Sequence, residues 1–215
     1  MKPVLFLLVF TSVCHAQIPS KKAQTLNFTE VWVWEYPDNE GKKQNMAIYH
    51  HPQKDYWLFT FEAFGSGDEM TEWIMAKPTG EYIQRYRDEH GNAKTLSHTL
   101  HFDPPAKLPG YYQRTGASMT FGDKSFGFPE FKGRAYRVNF EKTTDQALYY
   151  FVKVQKNMTS VYYFNRLNME AKLPVIFPAD LPADQLVLGE EVRTGGKTIH
   201  YRFRFISHTE YYIEL

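Results

Sequence analysis

Across 215 residues the chain sets 25 Lys and Arg against 24 Asp and Glu. That balance excludes the basic footprint of a nucleic-acid binder or of a protein drawn to anionic membranes. One cysteine, Cys14, leaves no intrachain disulfide and no thiolate cage for a metal.

Residues 1–16, MKPVLFLLVFTSVCHA, have the layout of an export signal. Lys2 precedes an apolar run from Val4 to Phe10, and the small residues Cys14 and Ala16 suit a signal peptidase. The run is too short to span a bilayer, which takes roughly 20 residues. Cleavage is expected after Ala16, leaving one β-rich domain over 17–215 in a secreted or periplasmic location. Lipid attachment at Cys14 is disfavoured, because Val13 stands where bacterial lipoproteins carry a small residue. No later stretch approaches transmembrane length. Asn27-Phe28-Thr29 and Asn157-Met158-Thr159 fit the N-glycosylation sequon.

Period-two alternation follows. Strands are expected at 28–36, 44–50, 56–64, 70–76, 81–87, 93–102, 110–115, 134–141, 147–155, 159–167, 186–193, 198–206 and 209–214. In VWVWEY (31–36), Trp32, Trp34 and Tyr36 share one face and Val31, Val33 and Glu35 the other. Its first two positions are apolar on both faces, which favours a core or cavity wall over an exposed platform. Trp57, Phe59 and Phe61 line one face of 56–64. Leu96, His98, Leu100 and Phe102 do so at 93–102, as do Ile199, Tyr201, Phe203 and Phe205 near the end. Turn residues such as PDNEGKK (37–43), KPTGE (77–81) and DEHGN (88–92) separate the runs. SGDEMTEWIMAKP (66–78) has a capping-box spacing of Ser66 and Glu69, but its neighbours favour a strand. A helical turn fits near 181–187. The stretches 103–110 and 116–133 read as long loops. The second carries Phe121, Phe126, Phe128 and Phe131 among glycines, and these rings would plug a barrel end or close over a ligand.

Catalytic signatures are sparse. GGKT (195–198) lacks the earlier glycine of a phosphate-binding loop, because position 191 is Glu. No H-E-x-x-H or G-x-S-x-G occurs, and Ser66 between two glycines has no marked histidine partner. His50 and His51 are adjacent on a strand and point to opposite faces, as do His98 and His101. His98, on an apolar face, reads as a core histidine or as a polar group in a cavity. Glu35 and Glu62 read as surface carboxylates before they read as a glycosidase pair. Arg85, Arg87, Arg202 and Arg204 read as outward, solubilising residues. No cofactor or metal motif is present.

The expected architecture is all-β: an antiparallel up-and-down meander forming a calycin-like barrel or half-barrel, with a two-sheet β-sandwich as the alternative. The expected function is non-enzymatic binding of an apolar or amphipathic small molecule in a β-barrel cavity. Trp32, Trp34, Trp57, Phe59, Phe61, His98, Phe126 and Phe128 are the candidate ligand-binding residues. Alternatives are a carbohydrate-binding module with a Trp32/Trp34/Tyr36 platform for a glycan, and a glycan hydrolase or lyase using Glu62, Glu35, His98 or a tyrosine.

Overall fold

The computed structural model describes residues 24–64, 70–139, 146–194 and 197–215. The expected signal peptide lies outside them, as do Ser66, Glu69 and the side chains of Glu62 and Phe126.

Eleven strands form one antiparallel sheet in the order β6-β5-β4-β3-β2-β1-β11-β10-β9-β8-β7. The strands are β1 (Thr25–Pro37), β2 (Lys43–His51), β3 (Tyr56–Thr60), β4 (Thr71–Ala76), β5 (Glu81–Arg87), β6 (Ala93–Thr99), β7 (Gln113–Phe121), β8 (Phe131–Asn139), β9 (Gln146–Lys153), β10 (Gln185–Thr194) and β11 (Lys197–Glu214). From β1, in the middle of the sheet, the chain meanders out to one edge. It then crosses to the opposite edge through 100–112 and meanders inward until β11 pairs with β1. The sheet is open, yet β7 curls back into contact with β11. It is an open antiparallel meander and not a closed barrel, a form that fits the expected half-barrel and a sandwich-like meander alike.

Several elements differ from the sequence reading. Residues 159–167, expected as a strand, form the helix α1 (Thr159–Tyr163) and a 3₁₀ turn. Every residue of α1 is buried, so no polar face marks a helical period, and its β-type residues obey tertiary packing. Part of the expected loop 116–133 belongs to β7, whose residues are exposed up to Phe121, a solvated edge strand without alternation. The expected helical turn at 181–187 gives way to β10 from Gln185, and the last two expected strands are one strand, β11. A bulge between β1 and β11 sets Phe203 opposite Trp34 and Phe205 opposite Val33. Phe205 therefore leaves the face of Tyr201 and Phe203 and stacks on Phe128, ring centres 4.3 Å apart.

Between β9 and β10 the chain makes a long excursion, 154–184, which fills one face of the sheet. Met158, Val161, Phe164, Leu167, Leu173 and Phe177 are buried there against Trp32, Trp34, Trp57 and Phe59. Two tyrosines fasten α1 to the sheet. The Tyr82 hydroxyl donates to the Ser160 carbonyl at 2.7 Å. The Tyr162 hydroxyl donates to the Gln185 carbonyl and accepts from the Val187 amide. Tyr162 thus satisfies backbone groups beside a bulge in β10, between Val187 and Gly189. A smaller cluster of Leu26, Phe28, Leu58, Trp73, Met75 and Ile213 forms separately.

Gly80 pins the crossover. Its φ is +91°, and a Cβ there would run into the Leu100 carbonyl oxygen. The Leu100 amide donates to the Gly80 carbonyl at 2.9 Å. Gly80→Ala is expected to cost about 3 kcal/mol or more, from the left-handed angle and the clash together. Urea unfolding checks this, and a loss under about 1 kcal/mol would mean that the turn yields cheaply.

Candidate functional site

Strand register sets the site. Tyr136 pairs with Tyr149, Tyr149 with Glu190, and Glu190 with Tyr201, across β8 to β11. Directly opposed residues share a face, so one carboxyl sits in a row of phenols. Tyr36, one position beyond the Glu35–Arg202 pair, extends the row onto β1. Over it passes the end of the excursion, PVIFP (174–178). Val175 and Phe177 turn inward and are buried, while Ile176 is 73% exposed. Phe177 packs edge-on against Trp34 and Tyr201, at 5.4 and 5.5 Å.

Between this strap and the sheet lies a cavity of about 380 Å³. Its walls include Tyr36, Tyr149, Val175, Phe177, Glu190 and Tyr201. Burial raises the Glu190 carboxyl above the ordinary carboxylate range, and the Tyr149 and Tyr201 hydroxyls turned toward it offset that only in part. Burial likewise raises both tyrosines, with the Glu190 charge adding to the effect. The buried Tyr201 hydroxyl still completes no hydrogen bond of proper geometry. A cavity with apolar walls, one perturbed carboxyl and one unsatisfied hydroxyl has the make-up of a small-molecule site.

No known family model and no curated protein matches the chain.

The arrangement can hold a hydrogen-bonding group at Glu190 and Tyr201 while the aromatic and aliphatic walls cover an apolar body. Burial favours the protonated form of the Glu190 carboxyl, and in that form it can donate as well as accept. Among the described residues, no three His, Cys, Asp or Glu groups converge on a metal position. No described helix is long and apolar enough to cross a membrane.

The candidate aromatics of the sequence lie elsewhere. Trp32, Trp34, Trp57 and Phe59 are brought together, but as core. Trp32 touches Trp34 and Trp57 at 6.5 and 5.4 Å, and Phe59 meets Phe164 at 4.2 Å. Trp34 donates to the Val187 carbonyl at 3.1 Å and Trp57 to the Asn157 carbonyl at 2.9 Å. With Trp32 and Trp34 buried, their rings offer no exposed stacking face. Phe61 is 62% exposed. His98, half-buried on β6, meets Gln84 at 2.9 Å. Phe128 stacks on Phe205. None of these residues lines the cavity.

The charged candidates are engaged too. Arg202, Arg204 and Lys43 surround Glu35. Burial works to raise the Glu35 carboxyl, yet these three cations hold it below its ordinary range. Arg85 and Arg87 pair with Glu72.

Sequence reasoning missed Glu190 and Tyr149. A signal was present, because Glu190 interrupts an otherwise apolar alternation of Leu186, Leu188 and Val192.

Proposed function

We propose that the protein binds an amphipathic small molecule, without catalysis, in the cavity under the 174–178 strap. The observation that carries this reading is the partly buried Glu190 carboxyl faced by the Tyr149 and Tyr201 hydroxyls, in a space of about 380 Å³. The ligand's apolar part lies against Phe177, Val175 and Tyr36, and one neutral hydrogen-bonding group meets Glu190 and Tyr201. The leader-like residues 1–16 support an exported carrier, acting in a secreted or periplasmic space.

Native mass spectrometry of the purified protein and titration with the neutral fluorophore N-phenyl-1-naphthylamine test the reading. Bound small-molecule mass or saturable fluorescence is expected, and Val192→Trp, which fills the cavity, should weaken binding about tenfold or more. Absence of both signals, or dye binding untouched by Val192→Trp, overturns it.

Glu190 also makes a pH prediction. Its folded pKa lies above the unfolded value, so the charged form is disfavoured in the fold. Stability should fall as pH rises from the usual carboxylate range through the raised value. Glu190→Gln removes that step and should raise the thermal midpoint at neutral pH. Matching melting curves for the two proteins across pH 4 to 8 would refute the assignment.

A further inference from the structure

A second cavity, of about 430 Å³, opens between the crossover and the β8–β9 pair. Four cations line it: Lys107 of the crossover, Lys132 and Arg134 of β8, and Lys153 of β9. Lys153 reaches Asp184 at 3.0 Å. Among the described residues, Lys107, Lys132 and Arg134 have no acidic partner. Arg85 and Arg87 share Glu72, and Arg202 and Arg204 share Glu35. The chain as a whole is near neutral, so the cluster does not reflect a general excess of base.

Gln185 is the second observation. It is 6% exposed and lines this cavity, so its side-chain amide stands at the cavity wall.

Register brings these groups together. Arg134 pairs with Phe151 and Gln185 with Lys153. Lys132 and Arg134 are two residues apart on one strand, about 7 Å along it. That is inside the screening length of about 10 Å at 0.1 M salt, so the charges repel one another. Buried Phe151 backs the cavity, and a low-dielectric wall strengthens both the repulsion and any attraction that relieves it.

We infer that this cavity is an anion site for a phosphate-type oxyanion, carried by a soluble ligand or by a lipid headgroup. Arg134 offers a planar fork to two oxygens, Lys107, Lys132 and Lys153 supply point charges, and the Gln185 amide donates to a further oxygen. The site is separate from the Glu190 cavity. Tyr112, its hydroxyl on Asp180, packs between Tyr149 of one and Phe151 of the other.

The test measures binding of inorganic phosphate and glycerol 3-phosphate by calorimetry, with chloride at equal ionic strength as background. Co-sedimentation with phosphatidylcholine vesicles, with and without phosphatidylglycerol, is run in parallel. Lys132→Ala/Arg134→Ala, two exposed positions, should weaken phosphate binding about tenfold or more at an unchanged thermal midpoint. Lys42→Ala/Lys94→Ala, with the same charge change on the other half of the sheet, should leave it intact. Phosphate binding lost only in the cavity variant supports the site with a soluble source. Vesicle binding alone, lost only in that variant, supports it with a headgroup source. Equal losses in both variants, or no binding above chloride and to neither vesicle, overturn the site.

Discussion

His50→Leu is expected to destabilise the protein by about 3 kcal/mol and to loosen the start of the 154–184 excursion. His50 is wholly buried at the end of β2, its ring tilted against Trp57 with centres 4.2 Å apart. Its Nδ1 meets Glu30 and its Nε2 meets Asp55, each at 2.8 Å. An ionised carboxylate only accepts, so a ring N–H turned to either acid donates to it. The same two acids hold the excursion. Lys156 donates to Glu30 at 3.2 Å, and the Asn157 amide donates to Asp55 at 3.3 Å. Leucine would leave two neighbouring carboxylates without the ring between them. Both retain some contact with water, which places the cost near the lower end for a broken buried pair.

Acid sharpens this test. Burial works to raise the Glu30 carboxyl, but hydrogen bonds from His50 and Trp32 and the charge of Lys156 outweigh it and bring the pKa down to about 2. A lowered folded pKa stabilises the fold above the unfolded value near 4.5, and that contribution is lost as pH falls through about 2. His50→Leu should flatten this limb. Urea unfolding of both proteins between pH 6 and 2 gives the comparison. Parallel curves would show that His50 does not hold Glu30 ionised.

Trp34→Ala is expected to cost about 4 kcal/mol, at the upper range of core truncations. Trp34 is 0% exposed, and its indole N–H satisfies the Val187 carbonyl. Removing it leaves a cavity beneath Phe177 and an unpaired carbonyl in β10. Because Phe177 is a wall of the Glu190 cavity, the variant should also lose affinity for N-phenyl-1-naphthylamine under conditions where it remains folded. Full affinity in a folded Trp34→Ala protein would detach the strap from the core. A stability loss below about 2 kcal/mol would mean that the excursion collapses into the space.

Alternation of Trp, Phe, Tyr and Val is a local property of an extended backbone, and it was legible. From it came the all-β class, the antiparallel meander and most strand positions. It also placed Trp32 and Trp34 as a strand apolar on both faces, and the structure buries Trp32, Val33 and Trp34 together. Local pattern fails where contacts between distant segments decide. TSVYY is helical because Tyr82 and β10 bind it from far along the chain. Phe205 changes face because one bulge adds a residue to its strand. Glu190 stands beside Tyr149 and Tyr201 only through a register across three strands. The four cations of the second cavity come from segments that meet when the sheet curls and the crossover returns. The sequence by itself determined which residues can face one another along a strand. The tertiary structure decided which strands and straps stand in front of them, because register, bulges and excursions are settled by packing and hydrogen bonding between residues far apart in the chain.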